Sequence, residues 1–131
     1  MKRALSMAAL LSLLLAGTAG CSPPKEVKLG TEDNGRQIEL RRGQTLVITL
    51  EANPTTGYTW EVREPSEERI LRQAGEAEFQ PQSELMGAPG VQILRFEAVS
   101  AGQTTLNLVY HRPWEEGVEP LETFSLQVVV R

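Results

Sequence analysis

Few side chains in this sequence could carry covalent chemistry. His111 is the single histidine and Cys21 the single cysteine. No serine sits in a G-x-S-x-G elbow, and no His or Cys spacing suits a metal site. Carboxylates are plentiful, but they fall at solvent-facing positions or in runs such as Glu67-Glu68 and Glu115-Glu116, the pattern of a solvated surface. Catalysis is therefore not expected, and no cofactor or metal ion is called for.

The chemistry lies instead in three loops suited to contact with another protein. In Asn53-Pro54-Thr55-Thr56-Gly57, Asn53 can bond the backbone ahead of it and Pro54 fixes φ near −65°. Thr55 and Thr56 are stiff at χ1, and Gly57 permits a positive φ. The loop carries no charge, so desolvating it costs little, and it has little freedom left to lose on binding. The same residues also suit a turn that only joins two strands. A second segment, Leu85-Met86-Gly87-Ala88-Pro89-Gly90, offers apolar side chains beside glycines, as a contact loop or a flexible hairpin tip would. In the third, His111-Arg112-Pro113-Trp114-Glu115, Pro113 ends strand pairing and leaves Trp114 beyond the strand. Trp and Arg are frequent interface anchors. The alternative is a Trp114 that folds back as a lid on the core.

These loops must be held by strands, because apolar alternation of period two dominates the chain. Leu46, Ile48 and Leu50 share one face, as do Tyr58, Trp60 and Val62; Leu94, Phe96 and Ala98; Leu106, Leu108 and Tyr110; and Phe124, Leu126, Val128 and Val130. Weaker strand signals cover residues 27–29, 37–40 and 76–80. Turn signals fall at Asp33-Asn34-Gly35, Arg42-Gly43-Gln44 and Ala101-Gly102-Gln103. Only residues 65–73 read as helical, with Pro65 and Ser66 starting a turn that carries Ile70 and Leu71 inward. Seven or eight short strands, each with one apolar face, imply an all-β, immunoglobulin-like antiparallel β-sandwich with Trp60 in its core.

The first 20 of the 131 residues have the layout of an export signal: Lys2 and Arg3, an uncharged apolar run, then small residues. Residues 21–26 read as an attachment point and tether, and residues 27–131 as one domain. Ala19-Gly20-Cys21 resembles a lipobox, in which the Cys21 sulfur takes a diacylglycerol. Ordinary signal cleavage that leaves a free thiol is the alternative. The lipobox is preferred because Cys21 has no disulfide partner in the chain and Ser22-Pro23-Pro24 reads as a tether. An exported protein held in the bacterial cell envelope is then expected, its membrane contact made through lipidated Cys21. Ser22 fits outer-membrane sorting where two membranes exist. Without Lys2 and Arg3, 11 of the 13 basic residues face 17 acidic ones, a net of −6, so nucleic acid is an unsuitable partner. A monomer is expected.

Taken together, Asn53-Pro54-Thr55-Thr56-Gly57-Tyr58, Gly87-Ala88-Pro89-Gly90 and Arg112-Pro113-Trp114 resemble the chagasin family of cysteine-peptidase inhibitors. The family pattern is an N-P-T-T-G-[YF] loop, a G-x-G-G loop and an R-P-[WF] loop at one end of an immunoglobulin-like sandwich. The first and third match fully, and Pro89 stands where the second usually has Gly. The resemblance runs from about Glu26 to Arg131. It implies a reversible, non-covalent inhibitor of papain-like cysteine peptidases. Asn53 to Tyr58 would enter the catalytic cleft while Gly87, Ala88, Pro89 and Gly90 and then Arg112, Pro113 and Trp114 grip its walls. The alternative on the same fold is a non-inhibitory structural or adhesion module of the envelope.

Overall fold

Period-two alternation becomes nine strands in the computed structural model, which describes residues 24–64 and 67–131. They are β1 (Glu26–Leu29), β2 (Gln37–Leu40), β3 (Thr45–Ala52), β4 (Thr59–Glu64), β5 (Leu71–Gln73), β6 (Glu78–Pro81), β7 (Gly90–Ala98), β8 (Gly102–His111) and β9 (Glu122–Val130). The expected export signal, Cys21 and the first tether residues lie outside the described residues, as do Pro65 and Ser66. The helix expected over residues 65–73 is replaced by one turn, in which the Ile70 and Leu71 N–H groups both donate to Glu67 O at 2.9 Å. β5 follows at once. Leu71 is fully buried, as the sequence required, but pairing with β7 takes its backbone into a sheet.

One sheet has the order β1-β3-β7-β5, with β6 also on β7; the other is β2-β9-β8-β4. β5 and β6 lie along the same edge of β7, one against Phe96 to Ala98 and the other against Gly90 to Ile93. The antiparallel expectation holds for these strands, for β3 with β7, and for β8 with β4 and β9. It does not hold for β1 with β3 or β2 with β9, which are parallel. A parallel pair needs a crossover. Here β2, placed in the opposite sheet, is the crossover between β1 and β3.

The two sheets meet over the residues that the alternation assigned inward. Leu46, Ile48, Leu50, Leu94, Phe96, Leu106, Leu108, Phe124, Leu126 and Val128 are 0–2 % exposed. Each such side chain contributes about 1.5–3 kcal/mol through burial. Trp60 is in this core as expected. It also joins the sheets, because its indole Nε1 donates to Glu51 O of β3 at 3.0 Å. A second junction comes from Gln92 of β7, which is buried. Its Oε1 accepts the Trp60 N–H at 2.8 Å and its Nε2 donates to Thr59 Oγ1 at 3.0 Å. β4 is an edge strand, so an edge N–H that would otherwise lack a partner is satisfied from the facing sheet.

Strand register decides where the loops go. Ala52 pairs with Gly90 and Gly90 with Pro81, so the β3–β4 loop and the β6–β7 loop leave side by side. Thr59 pairs with His111, which brings the β8–β9 loop to the same end.

Candidate functional site

The first loop is fixed by bonds its own sequence supplies. Pro54–Thr56 form a single 3-10 turn capped by Asn53. Asn53 Oδ1 accepts from Thr55 N at 3.2 Å and from Thr55 Oγ1 at 2.6 Å, while Thr56 Oγ1 donates to Asn53 O at 2.6 Å. Pro sits in the first turn, where its missing N–H is no loss. Gly57 closes the turn at φ 87°, in the left-handed region, with its N–H on Pro54 O at 3.0 Å. The threonine side chains are therefore committed to holding shape. Thr55 and Thr56 are nevertheless exposed, at the crest of the loop.

Beneath the loop lies an aromatic stack. Trp60 and Tyr110 rings stand 5.1 Å apart, and Tyr110 and Tyr58 rings 5.3 Å apart. Tyr58 thus supports the base of the loop. Tyr110 does more, because its hydroxyl accepts the Asn53 N–H at 2.9 Å and fixes the residue that caps the turn. The guanidinium of Arg112 lies 4.6 Å from the Tyr58 ring centroid, and its Nε donates to Thr56 O at 3.0 Å. It is also 3.8 Å from Glu115. Arg112 therefore ties the third loop to the crest of the first.

Trp114 does not fold back as a lid on the core. It is 68 % exposed and its ring edge rests on Gly57, where a Cβ would stand 3.0 Å from Cζ2 and collide with Cη2. Gly57 is thus required twice, once for its backbone conformation and once because the indole occupies the space of a side chain. Pro113 is exposed between the two.

In the second loop Leu85 and Met86 are almost fully exposed at 77 % and 102 %. Gly87 turns the chain at φ 79°, and Ala88 N–H donates to Leu85 O at 3.1 Å. Pro89 O accepts from Gln82 N at 3.0 Å, so the proline closes the hairpin through its carbonyl. Gly90 is not at the tip. It is buried at the start of β7, where a Cβ would meet Pro81 Cα at 2.8 Å. A cleft of about 330 Å³ separates this loop from the first, lined by Asn53, Gln82, Pro89 and Tyr110 with Glu51 and Glu122.

Sequence reasoning missed two supports and two surface residues. Tyr110 read only as a core position; its signal was a hydroxyl at the last inward site of a strand that leads to a loop. Gln92 was visible as a polar residue in phase with Leu94 and Phe96. Val118 and Leu121 are about 60 % exposed in the β8–β9 loop, apolar residues in a Gly- and Pro-containing segment. Among the described residues, no group of three or more His, Cys, Asp or Glu side chains could hold a metal ion.

Comparison with known proteins agrees with this geometry. Residues 39–128 match the family model described as "Chagasin family peptidase inhibitor I42". The chain is 39% identical over 104 residues to Amoebiasin-2 of Entamoeba histolytica, covering 79% of this chain and 84% of that one. It is 30% identical over 102 residues to Chagasin of Trypanosoma cruzi, covering 76% and 93%. The crystal structure of a cysteine protease inhibitor from Entamoeba histolytica superposes with a TM-score of 0.71 at 26% identity, over 81% of this chain and 96% of that one.

Proposed function

The chain belongs to the chagasin family of peptidase inhibitors, and from that premise we propose that its three loops form one surface that blocks the catalytic cleft of papain-like cysteine peptidases. The observation that carries the reading is the bracing of the first loop by the third, Arg112 on Thr56 and Trp114 on Gly57. A loop so held binds with a small entropy loss. It also resists the extended geometry that cleavage of a bound segment would need, so occupation is reversible and non-covalent. Asn53, Pro54, Thr55, Thr56 and Gly57 form the wedge, with Thr55 and Thr56 nearest the peptidase thiolate. Gly87, Ala88 and Pro89, with Gly90 at the hairpin base, meet one cleft wall. Pro113 and Trp114 meet the other. Tyr58 and Arg112 act mainly as braces.

Titrating papain with the protein tests this. Stoichiometric, dilution-reversible loss of activity is expected, and full activity at micromolar inhibitor refutes it. A non-inhibitory envelope module on the same fold has no observation in its favour: Amoebiasin-2 and Chagasin fall in the same inhibitor family, and the loops keep their braces.

We also propose that the protein is exported and anchored in a bacterial membrane through acylated Cys21. The support is the apolar leader and the Ala19-Gly20-Cys21 sequence. More than one acyl chain is needed for stable anchoring, which a diacylglycerol supplies. Cys21→Ser should move the protein from the membrane to the soluble fraction; an unchanged membrane fraction refutes the anchor.

A further inference from the structure

The two poles of the sandwich differ in charge. β3 begins beside Lys25, whose carbonyl accepts the Thr45 N–H at 2.8 Å, and ends at Ala52 under the loops. The length of that strand, eight residues, sets the poles roughly 25 Å apart. The loop pole carries Glu51, Glu84, Glu115, Glu116 and Glu122, with Arg112 beside Glu115.

At the opposite pole the fold gathers Lys25, Arg41, Arg42 and Arg131; the turn at residues 67–70 reaches this end as well, bonded to Val99 and Ser100, and adds Arg69 paired with Glu67 and the exposed carboxylate of Glu68. Gln44 draws two of them together: its Oε1 accepts the Arg41 N–H at 2.7 Å and its Nε2 donates to Pro24 O at 2.8 Å. The Arg42 N–H donates to Arg131 O at 3.2 Å. Arg131 pairs with Glu39 at 2.8 Å, and Glu26 follows Lys25 directly. Lys25, Arg41 and Arg42 are exposed and form no ion pair among the described residues.

We propose that this basic pole is a membrane-facing surface for anionic phospholipid headgroups, which seats the domain on the bilayer with its three loops pointing into solution. Charge complementarity supports it from both ends, since an anionic surface attracts the basic pole and repels the acidic one. Reach supports it as well. The described chain begins at Pro24, three residues after Cys21, and three residues span at most about 11 Å, comparable with the screening length of roughly 8–10 Å in physiological salt. Lys25, Arg41 and Arg42 therefore sit within electrostatic reach of the headgroups. The orientation rests on the Cys21 anchor for that reach, whereas the surface lies wholly within the described residues. Its consequence is that the protein meets peptidases free in the aqueous phase rather than in the plane of the membrane.

Energy transfer from the anchored full chain to a headgroup-labelled lipid tests the orientation. A donor dye is placed at Ala101→Cys, in the turn at the basic pole, or at Glu84→Cys, in the second loop. With Cys21 acylated the introduced thiol is the only free one. In vesicles of phosphatidylcholine with phosphatidylglycerol, transfer should be several-fold stronger from position 101 than from position 84. The contrast should shrink in pure phosphatidylcholine, in high salt, and on combining Arg41→Glu with Arg42→Glu. Equal transfer from both positions, or a contrast indifferent to phosphatidylglycerol and to the double substitution, overturns the proposal. Vesicle flotation separates the two claims. A chain that floats without contrast refutes the oriented pole and leaves the anchor standing; one that does not float refutes both. Inhibition of papain by the floated protein reports on the loops independently.

Discussion

Substituting Gly57 by alanine breaks two requirements at one atom, and a double-mutant cycle with Trp114 separates them. The backbone requirement is local: φ is 87°, and an L-residue in the left-handed region costs roughly 1–2 kcal/mol. The second is tertiary, because the new methyl occupies the space of the Trp114 ring edge. Trp114 is 68 % exposed, so about a third of a surface near 250 Å² is covered, and losing all of that burial costs at most about 2 kcal/mol at 25 cal/mol per Å². Gly57→Ala should therefore destabilise the domain by about 1–4 kcal/mol with Trp114 present. In a Trp114→Ala background only the backbone part should remain, about 1–2 kcal/mol, leaving a coupling of up to about 2 kcal/mol. Urea denaturation of the four proteins measures this. In the papain assay Trp114→Ala alone should raise the inhibition constant about tenfold or more. Gly57→Ala should raise it comparably, because a displaced indole no longer presents the same surface. If Gly57→Ala costs the same in both backgrounds, the contact with Trp114 contributes nothing. If it costs less than about 0.5 kcal/mol in either, the left-handed turn does not exist as described.

Tyr110→Phe keeps the aromatic stack but leaves the Asn53 N–H without its acceptor, a loss of about 1–3 kcal/mol; hydrogen exchange at the Asn53 amide should quicken and inhibition weaken, and unchanged protection would remove Tyr110 from the loop's support. Gln92→Leu is nearly volume-conserving, yet strands the Trp60 N–H at an edge, so a cost of about 1–3 kcal/mol is expected in urea denaturation with the inhibition constant nearly unchanged; a neutral result would mean that water replaces the side chain. Arg112→Lys retains charge but loses the planar Nε–H that reaches Thr56 O and lies over Tyr58. It should weaken inhibition nearly as much as Arg112→Ala, and full rescue by lysine would show that charge alone matters.

Much of this molecule was legible because its signals are local. Alternation of Leu46, Ile48 and Leu50, or of Phe124, Leu126 and Val128, marks a strand and its buried face without reference to any partner. The stiffness of the first loop was legible for the same reason, since Asn53, Thr55, Thr56 and Gly57 bond one another within a few residues. Residues 65–73 misled. Their apolar spacing suits one helical turn, and only the unpaired edge of β7 converts Leu71–Gln73 into a strand. Parallel pairing of β1 and β2 was likewise invisible, because it depends on which sheet each strand joins.

The sequence by itself determined the strands, their inward faces, the rigidity of the turn at Pro54–Thr56, and the three short motifs that mark the family. Tertiary structure alone decided that the first and third of these motifs brace each other. Asn53 with Tyr110 and Thr56 with Arg112 are bonds between residues 57 and 56 positions apart, and they exist because Thr59 pairs with His111. Register also sent Lys25, Arg41 and Arg42 to the far pole from Thr55 and Trp114. Local periodicity says which way a side chain points; it cannot say which distant backbone group it will meet, because that is fixed by which strands pair, and by how many residues one is offset along the other.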